Sequence, residues 1–124
     1  MSQGQEAGIT PEERLLNAAE STFLSAGVHR VTMDEIAASI GMSKRTIYQL
    51  IPGKEQLILR VLNRFAGRIR TQVEAILDDR SIAFPEKRDR YIATIANNLS
   101  RINSRLLSEI QRFFPSVFRE IDSI

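Results

Sequence analysis

The sequence predicts an all-α protein in which a small three-helix unit precedes part of a second helical domain. Three observations carry this prediction: helix N-cap signals recur, apolar residues return at helical spacing, and glycines stand where helices should stop. The longest regularity is an apolar residue at every fourth position, at Leu57, Val61, Phe65, Ile69, Val73 and Leu77. This repeat predicts a long helix from about Lys54 to Asp79 with a buried seam.

The first predicted helix begins at Thr10, which can act as its N-cap. Pro11 suits the first helical position, and Glu13 completes a capping box. The apolar stripe of this helix consists of Leu15, Leu16, Ala19, Phe23 and Leu24. Gly27 should end the helix. Residues 1–9 are polar with two glycines, so we expect them to form a disordered arm.

Two short helices joined by a tight turn should follow between Val31 and Lys54. Thr32 can cap the first of them, with Glu35 at the capping-box position, and Ser43 can cap the second. Gly41 lies between them and can adopt the left-handed conformation that often ends a helix. Helix, glycine-containing turn and helix is the pattern of a helix-turn-helix that reads DNA, with the preceding helix needed to bury its inner face.

Two basic residues stand at an unfavourable place in this pattern. Lys44 and Arg45 directly follow the Ser43 cap, where the positive end of the helix dipole disfavours cations by roughly 0.3–1 kcal/mol each. Departures from local rules are typical of functional sites. Both residues could be ordinary solvated surface, but in this motif they suit a phosphate backbone, and arginine can also bind guanine bidentately.

Downstream of the long helix, the sequence predicts a fifth helix from Pro85 to about Phe114. Its apolar stripe consists of Ile92, Ile95, Leu99, Ile102, Leu106, Ile110 and Phe113. Pro115 should interrupt it, and an amphipathic segment with Val117, Phe118 and Ile121 should follow. We therefore expect a helix-turn-helix DNA-binding domain over residues 10–53, and over residues 54–124 the N-terminal part of a truncated helical domain.

Composition argues against other classes of protein. The 124 residues carry a net charge of +2, and residues 1–54 hold five Lys/Arg against six Asp/Glu, so charge position matters more than charge total. The absence of cysteine excludes thiolate metal sites and makes the cytoplasm the default compartment. A single histidine and the lack of a glycine-rich phosphate loop leave no arrangement for an enzyme, a metal or a cofactor.

Many positions resemble the N-terminal DNA-binding domain of the TetR family of transcriptional regulators. They are Arg14, Ala18-Ala19, Phe23, Gly27, Thr32, Ile36-Ala37, Gly41, Ser43-Lys44, Thr46, Tyr48, Lys54-Glu55 and Leu57. The sequence departs from the family pattern at Leu50 and Ile51, where histidine or tyrosine, and phenylalanine, are common. Both replacements are apolar, which preserves packing, but Leu50 lacks the polar group with which family members sometimes contact phosphate at this position.

The resemblance assigns roles to the side chains of the helix-turn-helix. It implies phosphate contacts from Thr32, Tyr48 and Lys54; Tyr48 could instead pack in the core, and Lys54 could simply begin the long helix. Gln49 could read adenine or only be exposed. The expected DNA-binding set is Thr32, Ser43, Lys44, Arg45, Thr46, Tyr48, Gln49 and Lys54. His29, in a polar turn, is expected to be incidental.

The resemblance also implies partners. They are a double-stranded operator with palindromic half-sites, a second copy of the chain in the full-length protein, and a small-molecule effector bound by the second domain, usually with repression as the result. A different class of function remains open from the sequence, namely a helical ligand-sensing or protein-interaction module that does not bind DNA.

Overall fold

Seven α-helices form the part of the chain that the structure describes, and that part contains no strand. The structure is a computed structural model that describes residues 8–122. The helices are α1 (Pro11–Ala26), α2 (Met33–Ser39), α3 (Lys44–Leu50), α4 (Lys54–Asp78), α5 (Phe84–Leu99), α6 (Ser104–Phe113) and α7 (Pro115–Asp122). The predicted all-α class is confirmed, while all but the last two residues of the predicted arm lie outside the described residues.

The N-cap residues found in the sequence cap the first three helices. The Oγ1 of Thr10 accepts a hydrogen bond from the Glu13 amide, and Thr32 Oγ1 accepts one from Glu35, both at 3.1 Å. The Ser43 Oγ accepts one from the Thr46 amide at the same distance. Each cap satisfies one of the amide groups that a helix start leaves without an intrahelical partner.

The turn between α2 and α3 has the hydrogen bonds of a Schellman motif. The Met42 amide donates to the Ala37 carbonyl at 2.9 Å, and the Gly41 amide donates to the Ala38 carbonyl at 3.2 Å. Gly41 has a φ of 66°, in the left-handed region that glycine adopts without steric cost. The guanidinium of Arg14 donates to the Ile40 carbonyl at 2.6 Å and so ties the end of α2 to α1.

One apolar core runs from the helix-turn-helix into the last two helices. Its buried members are Leu15, Leu16, Ala19, Phe23, Val28, Val31, Met33, Ile36, Ala37, Ile47, Ile51, Leu57, Ile58, Val61, Leu106, Ile110 and Val117. Ile47, Ile51 and Leu57 are fully buried, so α3 and the start of α4 are fixed from below. The replacement of phenylalanine by Ile51 leaves that position well packed.

The predicted buried seam of α4 is confirmed only in its first half. Leu57, Val61 and Phe65 are buried, whereas Leu77 is 52% exposed. A four-residue step turns about 40° beyond one helical turn, so five such steps carry the repeat about 200° around the helix. A straight α4 therefore cannot keep the whole repeat against one core.

The prediction of one helix from residue 85 to 114 is wrong, because the helix ends at Leu99 and a new one begins at Ser104. Asn103 is extended, and its Oδ1 accepts a hydrogen bond from the Leu106 amide at 2.7 Å, which starts α6. Leu99 is 58% exposed and Leu106 only 4%, so the apolar stripe does not continue across the break. Asn103 is an N-cap signal that the long apolar pattern concealed.

The carboxylate of Glu109 joins α6 to the turn after α1. Its Oε1 accepts hydrogen bonds from the amides of Val28 at 2.8 Å and His29 at 3.1 Å, while Arg105 donates to its Oε2 at 3.2 Å. Gly27 has a φ of 80°, and a Cβ there would lie 2.4 Å from Oε1. Glycine is therefore required by the backbone conformation, and an added Cβ would also displace the Glu109 carboxylate.

The same contacts determine the pKa of Glu109. Burial acts to raise this pKa, but the hydrogen bonds from His29, Val28 and Arg105 outweigh it and hold the pKa below its ordinary value. Glu109 is therefore charged at neutral pH and stabilises the attachment of α6 to the helix-turn-helix.

Substitution of Gly41 tests the turn. Gly41→Ala should lower the free energy of unfolding by about 1–2 kcal/mol, because a Cβ is strained in the left-handed region, even though nothing lies within 4 Å of the added atom. The matched control is Gly67→Ala inside α4, also in open space, which should raise stability by about 0.5–1 kcal/mol. Chemical denaturation measures both, and a stabilising Gly41→Ala would contradict the assigned conformation.

Substitution of Glu109 tests the attachment of α6. Glu109→Gln should lower the Tm at pH 7, since three charge-assisted hydrogen bonds are weakened. Because the folded-state pKa lies below the ordinary value of 4.5, this stabilisation is complete above that value and is lost as pH falls through the folded pKa.

The Tm difference between wild type and Glu109→Gln should therefore shrink as the pH falls. Thermal unfolding measured across the acid range tests this. Glu74→Gln removes an exposed carboxylate of α4 and should produce no comparable difference. A Glu109→Gln difference that stays constant down to the most acidic pH would rule out a role for the charge.

Candidate nucleic-acid interface

Helix α3 presents one polar face to solvent and one apolar face to the core. Lys44, Arg45, Tyr48 and Gln49 are exposed, and their spacing places them on one side of a helix with 3.6 residues per turn. Ile47 lies on the opposite side and is fully buried. The core therefore selects which side chains of α3 point outwards.

Two of the predicted DNA-binding residues, Ser43 and Thr46, are hydrogen-bonded to each other at the N-cap of α3. The Ser43 hydroxyl donates to Thr46 Oγ1 at 2.8 Å, in addition to accepting from the Thr46 amide. These bonds fix the first turn of α3, where Lys44 and Arg45 lie. Ser43 and Thr46 thus fix the backbone from which Lys44 and Arg45 project.

Lys44 is paired with a carboxylate of the preceding helix. Its Nζ lies 3.2 Å from the Asp34 Oδ2, and the two side chains are 70% and 53% exposed. Solvent-exposed ion pairs of this kind contribute about 0–1 kcal/mol. Lys44 can therefore leave Asp34 for a phosphate at little cost.

The side chains of Tyr48 and Thr32 are both accessible to solvent. Tyr48 is 44% exposed, so the alternative that its ring belongs to the core does not hold. Thr32 is also exposed, at the N-cap of α2, where its hydroxyl accepts the Glu35 amide. That hydroxyl keeps its own hydrogen to donate, so capping and a phosphate contact are compatible.

The side chain of Lys54 contacts both the turn after α1 and the end of α6. Its Nζ donates to the His29 carbonyl at 3.1 Å and lies 5.4 Å from the centre of the Phe114 ring. Burial lowers the pKa of Lys54, and the carboxylates of Glu109 and Glu35 oppose that shift. Lys54 begins α4, as one of its two predicted roles required, and its phosphate contact stays a prediction.

His29 has a structural role that the sequence did not indicate. Its ring stacks on Phe113 with the centroids 3.6 Å apart and the planes within 9°. Together with Glu109 and Lys54, this stack attaches the turn after α1 to α6. No local pattern around His29 points to a partner 84 positions away.

The structure therefore divides the predicted site into three places. Most members lie on α3 and its cap: Ser43, Lys44, Arg45, Thr46, Tyr48 and Gln49. Thr32 lies at the start of α2 and Lys54 at the start of α4. Arg14 belongs to the same unit, since it holds the end of α2, a contact that no local sequence pattern indicates.

Residues 8–122 offer neither a metal site nor a membrane-spanning helix. They contain no group of three or more His, Cys, Asp or Glu side chains that could hold a metal ion. Within the same residues, no helix is both long enough and apolar enough to cross a membrane.

A short exposed helix held by a capped turn and two buried supporting helices defines a helix-turn-helix protein. Residues 15–61 match the family described as "Bacterial regulatory proteins, tetR family". Residues 15–61 therefore form a TetR-family domain. The family consists of regulators, which confirms the expectation that the chain is not an enzyme.

Curated relatives carry matching descriptions. The chain is 26% identical over 92 residues to the "Uncharacterized HTH-type transcriptional regulator YvaF" of Bacillus subtilis, covering 74% of this chain and 48% of the relative. It is 39% identical over 64 residues to the "HTH-type transcriptional activator FasR" of Mycolicibacterium smegmatis, covering 52% and 29%. It is 31% identical over 104 residues to the "Uncharacterized HTH-type transcriptional regulator Mb2274c" of Mycobacterium bovis, covering 82% and 52%.

The chain thus spans about half the length of the first and third of these relatives and less than a third of the second. No solved structure matches it significantly.

Proposed function

We propose that the chain is a sequence-specific DNA-binding transcriptional regulator that places α3 in a major groove. The observation that carries this proposal is the exposed face of α3, where Lys44 and Arg45 stand beside Tyr48 and Gln49 while buried Ile47 fixes the helix. Basic, aromatic and amide side chains on one rigid face can hold phosphates and read base edges. As a transcriptional regulator, it would act in the cytoplasm of a bacterium.

The basic residues divide the work in this proposal. Lys44 exchanges the Asp34 carboxylate for a phosphate, because its ammonium group is a point charge on a flexible stem. Arg45 reads a guanine through paired hydrogen bonds, and Gln49, one turn further along, reads an adenine. Thr32 and Tyr48 add phosphate contacts that set the orientation of α3.

A second copy of the chain and an effector complete the proposal. Five large apolar side chains on α4 and α5 support burial against another surface: Leu77, Phe84, Tyr91, Ile92 and Leu99, each at least 43% exposed. Leu77, Phe84 and Tyr91 of this set line one recess, and contiguous apolar surface is typical of protein interfaces. Two copies would then read two half-sites of a palindrome, with a small molecule bound by the helical domain controlling them.

Whether the regulator represses or activates transcription depends on where its operator lies relative to the promoter. Repression is the role that the resemblance implies, and binding over a promoter would produce it. The Mycolicibacterium smegmatis relative is named an activator. A reporter gene placed behind the selected operator distinguishes the two.

Paired substitutions on α3 test the proposed function. A binding selection on random duplexes first supplies the preferred sequence. Arg45→Gln should then lose about 1–3 kcal/mol of binding free energy on that sequence and relax the preference at one base position. Lys44→Gln should weaken binding equally on all sequences, whereas Asp34→Asn, which frees Lys44, should strengthen it.

Arg70→Gln is the matched control for charge. Arg70 is exposed on α4, about 24 Å along the helix from Lys54, and its loss should leave DNA affinity within twofold of wild type. Equal, sequence-independent losses for Arg45→Gln and Lys44→Gln would refute the division of roles. A selection that enriches no sequence at all would refute sequence-specific binding.

A further inference from the structure

A cleft rich in arginine lies between α1, α4 and the turn that connects α5 to α6. Arg64 and Arg68 line it from α4, Arg101 from the turn, and Glu20, Asn17 and Ser21 from α1. Its volume is about 380 Å³, within the range of small-molecule sites. No residue of α3 lines it, so it is separate from the proposed DNA interface.

One carboxylate serves three guanidinium groups in this cleft. The Nη2 of Arg68 lies 2.7 Å from both oxygens of Glu20, that of Arg64 lies 3.4 Å from Oε1, and that of Arg101 lies 3.7 Å from Oε2. The Glu20 side chain is 12% exposed, whereas Arg68 and Arg101 are 40% and 52% exposed. Glu20 neutralises one positive charge of three, so the lining keeps a net charge of about +2 on its solvent side.

The arginines are also held in place before any ligand arrives. The guanidinium carbons of Arg68 and Arg101 lie 5.6 and 5.8 Å from the centre of the Phe65 ring, within cation–π distance. The Nε of Arg64 is buried and has no hydrogen-bond partner among the described residues.

We propose that this cleft binds a small ligand through an oxyanion, a phosphate or a carboxylate. Guanidinium groups match such oxyanions in charge and in bidentate geometry, and the amide of Asn17 and the hydroxyl of Ser21 add neutral donors. Glu20 lies on α1, whereas the arginines lie on α4 and in the turn after α5. A ligand in the cleft therefore contacts α1 and these later elements at the same time. The site goes beyond DNA binding and needs neither α3 nor DNA.

Binding of inorganic phosphate to the 124-residue chain without DNA tests the proposal. The NMR signals of the arginine Nε–H groups report on the cleft directly, and sodium chloride keeps the ionic strength constant during the titration. Phosphate should shift the signals of Arg64, Arg68 and Arg101 along one saturable curve. A parallel titration with succinate identifies the carboxylate source if it saturates at lower concentration than phosphate.

Variants connect the signal to the cleft. Arg101→Gln should weaken phosphate binding about tenfold, the loss expected for one charge-assisted hydrogen bond, while Arg70→Gln should leave it unchanged. Asn17→Asp adds a negative charge to the lining without removing an arginine and should also weaken binding. Its control, Asn63→Asp, places the same charge at an exposed position of α4 outside the cleft and should have no effect.

Two results would overturn the proposal. The first is that neither phosphate nor succinate shifts the three arginine signals beyond the change produced by chloride. The second is a set of shifts that Arg101→Gln and Asn17→Asp leave unaltered, which would place the anion elsewhere. Because no DNA is present, either result leaves the proposed DNA binding untouched, and a failure of DNA binding leaves this test valid.

Discussion

Burial under the neighbouring helices is the constraint on which the helix-turn-helix depends. Helices α2 and α3 have seven residues each, and isolated helices shorter than about 12 residues are marginal in water. Ile36 and Ile47, each at most 1% exposed, fix them against the core. The burial that allows α3 to form also decides its orientation, and with it the side chains that can meet DNA.

The same core extends this constraint to the rest of the chain. Leu106, Ile110 and Val117 are buried in one cluster with the helix-turn-helix, and Glu109 binds the amides of the turn after α1. Any movement of α6 relative to α1 must break these hydrogen bonds or carry the turn with it. These contacts are therefore the physical link between α6 and the helix-turn-helix.

Sequence reasoning predicts the local features well because their causes are local. Thr32, Gly41 and Ser43 signal helix ends through hydrogen bonds and backbone conformations within a few residues of themselves, and the exposed face of α3 follows from where Ile47 must pack. The helix boundary at residues 100–103 is not predicted, because the helical spacing of apolar residues in the sequence continues past the Asn103 cap.

The long-range contacts could not be predicted, for a different reason. Glu109 with Val28, His29 with Phe113, and Glu20 with Arg68 join residues that are 48 to 84 positions apart, and nothing in the local sequence of either partner encodes the pairing. For that reason the sequence indicates neither the stack of His29 on Phe113 nor the ion pair of Arg68 with Glu20.

The central claim is that α3 holds duplex DNA through phosphate contacts. The affinity of the chain for duplex DNA, measured by fluorescence anisotropy over a series of salt concentrations, tests it most directly. The account predicts that the logarithm of the binding constant falls linearly with the logarithm of salt concentration, with a slope of about −0.9 per phosphate contacted. Binding that does not change with salt, or no binding at the lowest salt, would contradict it.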